Sequence, residues 1–347
     1  MDLPKKVAVL LSGGVDSSVV CLLLKKQGYD VVAITGKMFS SEKSDEIVQN
    51  AKKVADMLNI PHYVCDVCDE FKADVIEYYK NSYANGSTPN PCIVCNKKIK
   101  WGKIFDFAIN ELKVDYIATG HYAHILNDNG KYKLMPAADE KKDQLYYLFE
   151  LNQMQLSKTL FPLSSFKKDE IKQIAIDNNL SSKSSKESQD ICFIVPPMTS
   201  KKYIMEYLGE KRGNFVLKSE NKILGTHNGS WQYTIGQRKG IGLAYKEPLY
   251  VIDIDITNNI VYLGIKDELY SSSVILNKLN FSVEEKNSEF SADVKIRYNM
   301  SKVSAVLKPI DGQWHCIFNE PVSAITKGQA LVIYDQNDGH LVGGGWI

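Results

Sequence analysis

Two groups of residues in this chain could do chemistry. The first is Ser12-Gly13-Gly14-Val15-Asp16-Ser17, set between the apolar run Val7 to Leu11 and the helix-like stretch Ser18 to Gln27. A buried strand, a glycine turn and a helix start in that order form an anion nest, in which unpaired N–H groups and the positive helix end converge on phosphate. No Lys-Ser/Thr closes the turn and no G-x-G-x-x-G is present, so neither common nucleotide signature applies. The plain alternative is a turn whose Ser and Asp cap a helix. Asp16 reads equally as a Mg²⁺ ligand or as such a cap.

The second group is sulfur. Of seven cysteines, two lie in Thr88-Pro89-Asn90-Pro91-Cys92-Ile93-Val94-Cys95-Asn96. The spacing predicts a helix starting near Cys95-Asn96 and running toward Ala108. Cys95 would then sit at a helix N-terminus beside Lys97 and Lys98, where thiolate is favoured. Three arrangements stand open: a four-thiolate zinc site from Cys65, Cys68, Cys92 and Cys95; a catalytic pair of Cys95 and Cys192; or Cys92, Cys95 and Cys192 as three thiolates on an iron–sulfur cluster. Cys21 and Cys316 fall on apolar faces and read as core. His121 and His124 follow a predicted strand, where a histidine is as often a satisfied polar residue as a functional one; His121, beside Gly120, is the better candidate.

These groups need a scaffold. Tyr29 to Thr35, His62 to Val67 and Asp115 to Thr119 read as strands, with helices over 45–58 and 71–83. Alternating strands and helices predict a doubly wound parallel sheet whose ligands gather at the strands' carboxyl ends. The nest, Gly36 and Gly120-His121 would then line one crevice. A hairpin is expected at Asn127 to Gly130, a helix from Lys141 through Leu151 and another from Lys168 to Asn178. Ser181 to Ser188 has no apolar period and reads as a mobile loop leading to Cys192. Beyond Pro196-Pro197 the pattern changes to short strands at even spacing, among them Phe290 to Tyr298, as in a small barrel or sandwich. Tyr270 to Ser273 reads as a break between strands.

A chain of 347 residues has room for two or three domains. Its net charge of +1 excludes a uniformly basic surface, though a local patch suffices for nucleic acid. Arg212, Arg238 and Arg297 are its three arginines; in so lysine-rich a chain they point to forked contact with phosphate or carboxylate. Lysine pairs such as Lys52-Lys53, Lys97-Lys98, Lys141-Lys142, Lys167-Lys168 and Lys201-Lys202 are more often solvated faces. No apolar stretch approaches the ~20 residues of a membrane span. The start MDLPKK has no signal core, so a cytoplasmic location and no membrane partner are expected.

Taken in order, SGGVDSS, TPNPCIVCN followed by KKIKW, ATGHYA, KKDQLYYL, SQDICFI, YTIGQRKGIG, KIRY, TKGQALVIY and GGGWI resemble the bacterial tRNA-specific 2-thiouridylases of the ATP pyrophosphatase (PP-loop) superfamily. The resemblance covers essentially the whole chain. It implies a PP-loop, Rossmann-like α/β domain over 1–195, a small central domain over 196–268 and a tRNA-binding C-terminal β-barrel over 269–347. It implies a sulfurtransferase that uses ATP and Mg²⁺ to thiolate the wobble uridine of tRNA, supplied with sulfur by a donor protein such as a cysteine desulfurase or sulfur carrier. By position, Leu10, Leu11, Ser12, Gly13, Gly14, Val15, Asp16, Ser17, Gly36 and Gly120 would hold ATP, and Asn90, Pro91 and Cys92 the target base. Cys95 would be the nucleophile and Cys192 the persulfide carrier, the two ending as a disulfide. His121, Lys142, Asp143, Gln144, Arg297, Tyr298 and Gln329 would touch tRNA. The better-known family pattern has Asp where this chain has Cys92, which keeps the iron–sulfur alternative on Cys92, Cys95 and Cys192 open.

Overall fold

The computed structural model describes residues 3–180, 191–277 and 279–347. Its first layer is a five-stranded parallel sheet. β1 (Lys6–Leu10) lies between β2 (Asp30–Lys37) and β4 (Tyr116–Ala118); β3 (His62–Asp66) borders β2, and the short strand Thr159–Leu160 borders β4. The order reverses direction at β1, so a crevice opens between the carboxyl ends of β1 and β4, where doubly wound sheets bind ligands. The doubly wound expectation is borne out.

Strand alternation divides the core into two faces. Val7, Val9, Val31 and Ala33 pack against helix α1 (Val15–Lys26), helix α2 (Glu42–Met57) and helix Lys168–Asp177. Ala8, Val32 and Ile34 face the other way, onto Phe71, Val75, Cys95, Ile99 and Ile104. Both faces being covered explains why these strands read as unbroken apolar runs.

The second face is built by two long helical runs, residues 68–84 and 91–111, each with wide turns in its course. The latter corrects the expected start near Cys95. Pro91 occupies the first helical position, where its missing N–H costs nothing, so the helix begins four residues earlier. Lys141 to Leu151 also differs from expectation: Asp143 turns inward to accept from the amides of Ala137 (3.1 Å) and Leu145 (3.2 Å). That leaves turns and a single helical turn at Leu145–Tyr147 instead of a helix.

Beyond helix Ser200–Leu208 stands a four-stranded sheet of Tyr250–Asp255, Ile260–Gly264, Gly213–Leu217 and Lys222–His227. The C-terminal part is a seven-stranded antiparallel sheet. Every strand of it contributes to one apolar core, from Leu276 and Phe281 to Ile333 and Val342, so the sheet is curled over itself. The serines of Tyr270–Leu276 pair with Gln313–Ser323, so this segment is a strand and not the break its composition suggested. Strand Phe290–Lys295 ends before Arg297-Tyr298, which occupy the following turn.

The C-terminal sheet docks directly on the first layer. Ala330, Val332, Tyr334 and Leu341 share a core with Ile93, Trp101, Tyr146 and Phe149, and the Tyr146 hydroxyl donates to the buried Ala330 carbonyl at 2.9 Å. No helix among the described residues is long and apolar enough to cross a membrane.

Candidate active site

The turn after β1 is braced from three sides. Leu11 N donates to Ile34 O (2.8 Å), and Leu11 O accepts from the Thr35 hydroxyl (2.7 Å). Ser17 Oγ accepts from Ser12 N and donates to Gly14 O, and Ser18 Oγ also donates to Gly14 O. Gly13 has φ +74°, and a Cβ there would stand 2.9 Å from Ala51 N, on the backbone of α2. Gly120, beyond β4, passes so close that its Cβ would lie 3.1 Å from Asp16 Cβ and 3.2 Å from Ser17 N. Gly36 is similarly crowded by Ile104, 2.6 Å from where its Cβ would be. No side chain caps α1, whose first turn carries Val15, Asp16 and Ser17. Its positive end is therefore directed at the crevice.

Asp16 is committed within the protein. Both its oxygens accept from Lys168 Nζ at 2.7 Å, and Oδ1 also accepts from the Tyr122 hydroxyl at 3.0 Å. It is the one carboxylate among the described residues lining the two crevice cavities, and it presents no free oxygen pair to a cation. The residues present therefore do not fit a protein-held Mg²⁺.

A cavity of about 350 Å³ opens beside the nest. Leu10, Leu11, Ser12 and Gly36 line it together with Pro91, Cys92, Cys95, Lys100, Ile191, Cys192 and Phe193. Cys192 reaches this place because Phe193 is wedged edge-on among Phe71 (5.8 Å), Tyr79 (5.4 Å) and Tyr203 (5.8 Å). Cys92 and Cys192 each keep exposed surface although their sulfurs are closely surrounded by protein, and Cys95 is buried. Burial pushes the Cys95 thiol up to about 12 and Cys192 up to about 11, and it raises Cys92 as well; the Lys100 ammonium opposes the rise at all three. The expected low-pKa Cys95 is thus corrected. It lies a full turn inside a helix that begins at Pro91, away from the N-terminal amides.

Lys100 is the residue that sequence reasoning passed over in favour of Lys97 and Lys98. Lys97 pairs with Glu150, and Lys98 is exposed and does not line the thiol cavity. With the helix started at Pro91, Cys92, Asn96 and Lys100 recur every fourth residue, which is the signal that the later start concealed. Lys100 Nζ stands 3.5 Å from His121 Nε2.

The zinc arrangement is not what forms. Sulfurs sharing one zinc lie about 4 Å apart, and among the described residues the group whose ligand atoms converge within 4.8 Å is Asp335, Asp338 and His340, with no cysteine. Cys65 is buried, and Cys68 Sγ donates to Lys37 O. Cys21 and Cys316 are fully buried apolar side chains.

A second cavity of about 530 Å³ is lined by Asp16 of the nest and Gly120 with Tyr122, Lys141, Lys142, Gln144, Tyr147, Lys168 and Tyr298. Tyr147 and Tyr298 stack at 4.6 Å across the docked parts. Gln144 exchanges bonds with the Tyr122 backbone, accepting at 3.0 Å and donating at 2.9 Å. Arg297 is exposed and donates to Ser323 O. Gln329 donates to Thr88 O (2.9 Å) and Thr88 N donates to Lys327 O (2.8 Å), so the chain just before strand Ala330–Tyr334 holds the loop that leads into Asn90, Pro91 and Cys92. His124 lies elsewhere, lining a cavity with Tyr29 and Tyr116 at the amino ends of the strands. The polar stretch 181–190 lies outside the described residues.

Comparison with known proteins fits this arrangement. Family models match nearly end to end: a "tRNA methyl transferase HUP domain" over residues 5–196, a "tRNA methyl transferase PRC-barrel domain" over 201–265 and an "Aminomethyltransferase beta-barrel domain" over 271–347. The tRNA-specific 2-thiouridylase MnmA of Clostridium acetobutylicum is 43% identical over 99% of this chain and 99% of its own. The chain belongs to the tRNA-specific 2-thiouridylase family. A Clostridium botulinum relative, tRNA-specific 2-thiouridylase MnmA 1, is 42% identical with the same coverage. Among solved structures, the U34-tRNA thiolase NcsA of Methanococcus maripaludis, with its [4Fe-4S] cluster, is a remote likeness. It has a TM-score of 0.37 and 22% identity, over 55% of this chain and 62% of that one, which is too distant to bear on the site. Within the thiouridylase family, the geometry of this member brings the nest and all three candidate thiols to one cavity, with the proposed RNA-contact residues Lys142, Gln144 and Tyr298 in the next.

Proposed function

We propose that the chain is a cytoplasmic, ATP-dependent tRNA-uridine 2-sulfurtransferase that exchanges O2 of the wobble uracil for sulfur, releasing AMP and pyrophosphate. One observation carries this reading: Cys92 and Cys95, from one helix, and Cys192, nearly a hundred residues later, line the same cavity as Ser12 of the phosphate nest and Gly36 at the end of β2. The names of the full-length relatives support the same activity. Methyl transfer, the activity in two of the family-model descriptions, gives no use to three thiols at a phosphate nest.

The obstacle in the reaction is the leaving group, because O2 would otherwise depart as hydroxide. Uracil O2 attacks the α-phosphorus of ATP while N3 gives up its proton; the O2–P bond forms, the α–β bond breaks and pyrophosphate leaves. The nest amides and the positive end of α1 offset the charge on that pyrophosphate. The terminal sulfur of a Cys192 persulfide then attacks C2. The C2–O2 bond breaks, AMP leaves with the oxygen and its electron pair, and sulfur is joined to C2. Cys95 next attacks Cys192 Sγ as its proton passes to N3 of the base; the Cys192–sulfur bond breaks, the second sulfur stays on C2 as the thione, and a Cys95–Cys192 disulfide closes, which an external dithiol reopens. A sulfur-donor protein recharges Cys192, whose exposed surface suits delivery from outside. Buried Cys95 keeps its proton in the resting enzyme, which protects it from stray oxidation.

A second reading rests on Cys92, exposed into the same cavity. Cys92, Cys95 and Cys192 are three thiols of the kind that hold an iron–sulfur cluster, which would supply sulfide at an open iron. Anaerobic iron and acid-labile sulfide analysis separates the two readings. The function itself is tested by incubating the protein with ATP, unmodified tRNA and a persulfide donor. The expected result is one AMP and one pyrophosphate per 2-thiouridine, located at the wobble position by nuclease mapping. Turnover of ATP on a small-molecule acceptor without RNA would overturn it.

A further inference from the structure

We propose that Lys100 is the catalytic cation of the thiol cavity, holding the α-phosphate of the adenylated base, and that His121 is the residue that positions it. The inference rests on the thiolation reading and asks how AMP is expelled.

Adenylation places an anionic phosphodiester between the nest and the thiols, and sulfur attack at C2 puts further negative charge on the departing AMP. A fixed cation at that point stabilises both transition states in a site partly shielded from water. Among the described residues lining this cavity, Lys100 is the one cation, and it shares that lining with the three thiols, Ser12 and Gly36. No carboxylate among the described residues lies within ion-pair distance of it, whereas Lys168 is paired with Asp16 and Lys97 with Glu150. Lys141 and Lys142 line the neighbouring cavity.

A lysine stem is flexible, so a cation with a task needs a hold. His121 provides one. Its ring is packed against Trp101 (5.4 Å) and Phe161 (6.1 Å), and Trp101 is itself pinned by its indole N–H to the Thr159 hydroxyl at 2.9 Å. Nδ1 meets the Thr119 hydroxyl at 2.7 Å, and Nε2 faces Lys100 Nζ at 3.5 Å. Burial and the Lys100 charge hold the imidazole well below its ordinary range, so it is neutral, donates from Nδ1 to Thr119 and accepts at Nε2. The chain Trp101–His121–Lys100 thus aims an ammonium into the cavity from a rigid floor. His121 acts here from beneath the site through Lys100.

The test is single-turnover thiolation of tRNA by wild-type, Lys100→Met, Lys100→Arg, His121→Leu, His121→Gln and the Lys100→Met/His121→Leu double variant, each checked for folding by thermal melting. Wild-type thiolation establishes the underlying reading; its failure would reject that reading and not this inference alone. Lys100→Met is expected to lower the maximal rate about 10²-fold or more, with the half-saturating tRNA concentration changed less than about threefold. Lys100→Arg should recover part of the loss. His121→Leu should lower the rate in the same way and His121→Gln, which keeps an acceptor, should restore much of it. The double variant should be no worse than Lys100→Met, as expected for two groups acting as one unit. A Lys100→Met protein at the wild-type rate, or one weakened only in tRNA affinity, would overturn the proposal. Multiplying losses in the double variant would overturn the role given to His121. If Lys100→Met does not fold, Lys100→Gln carries the same comparison.

Discussion

At the scale of single residues, the site depends on places where backbone approaches backbone and on thiols kept protonated. Gly13→Ala brings a Cβ to 2.9 Å from Ala51 N, at a left-handed φ of +74° that alanine disfavours. It is expected to reduce ATP-dependent AMP formation at least tenfold while leaving far-UV circular dichroism unchanged, because the nest shifts and the sheet does not. The thiols make a second expectation. With Cys95 pushed up to about 12 and Cys192 to about 11 by burial, the reactive thiolate fraction rises with pH. Alkylation of both by iodoacetamide in the resting protein should therefore be slow near neutrality and still be climbing above pH 9, with Cys95 slower than Cys192. Mass spectrometry of timed aliquots reads this, and a plateau below pH 8 would contradict it. The residue types were legible in the sequence: SGGVDSS and the two cysteine motifs stand out without any structure. The state of Cys95 was not, because a helix beginning at Pro91 instead of Cys95 reverses its environment from dipole end to buried turn.

At the scale of elements, the loop 87–90 decides where Cys92 and Cys95 point, and the chain just before strand Ala330–Tyr334 holds that loop. Gln329→Ala removes the amide donor to Thr88 O, a bond worth about 1 kcal/mol net. The variant is expected to keep its fold and to lose thiolation about tenfold, with faster amide hydrogen exchange confined to the residues of that loop. Unchanged exchange there with reduced tRNA binding would show that Gln329 serves RNA directly. Strands buried on both faces, such as Val7 to Leu11 and Val31 to Ile34, were readable as continuous apolar runs. Three elements were not. Lys141 to Leu151 carries helical spacing, yet Asp143 bends inward to two backbone amides. Tyr270 to Ser273 is turn-like in composition and becomes a strand only because a long partner strand is beside it. Arg297 and Tyr298 continue an apolar alternation past the point where pairing stops.

At the scale of the whole molecule, the docked C-terminal sheet and the parallel sheet share one core, and their junction is where the second cavity forms. Tyr146→Phe leaves the buried Ala330 carbonyl without its donor, a loss of about 1–3 kcal/mol, and should lower the melting temperature by a few degrees. Stability against pH follows from the buried groups. His62, His121 and His227 are held below 6.5 by burial, so the unfolded chain takes up more protons and stability falls as pH drops below 6.5. Cys21, Cys95 and Cys316 are raised to about 12, so the unfolded chain releases protons first and stability also falls above pH 9. Thermal melts across pH should therefore show a plateau between these limits. The composition gave no hint of the docking, since the contacts join residues such as Tyr146 and Ala330 that lie far apart in the chain.

The central claim is that the phosphate nest and the thiols act on one uracil, and single-turnover thiolation by Cys192→Ser tests it most directly. With ATP, tRNA and a persulfide donor present, the account predicts that this variant still releases pyrophosphate on adenylating tRNA but forms no 2-thiouridine. Thiolation by Cys192→Ser at the wild-type rate would contradict it.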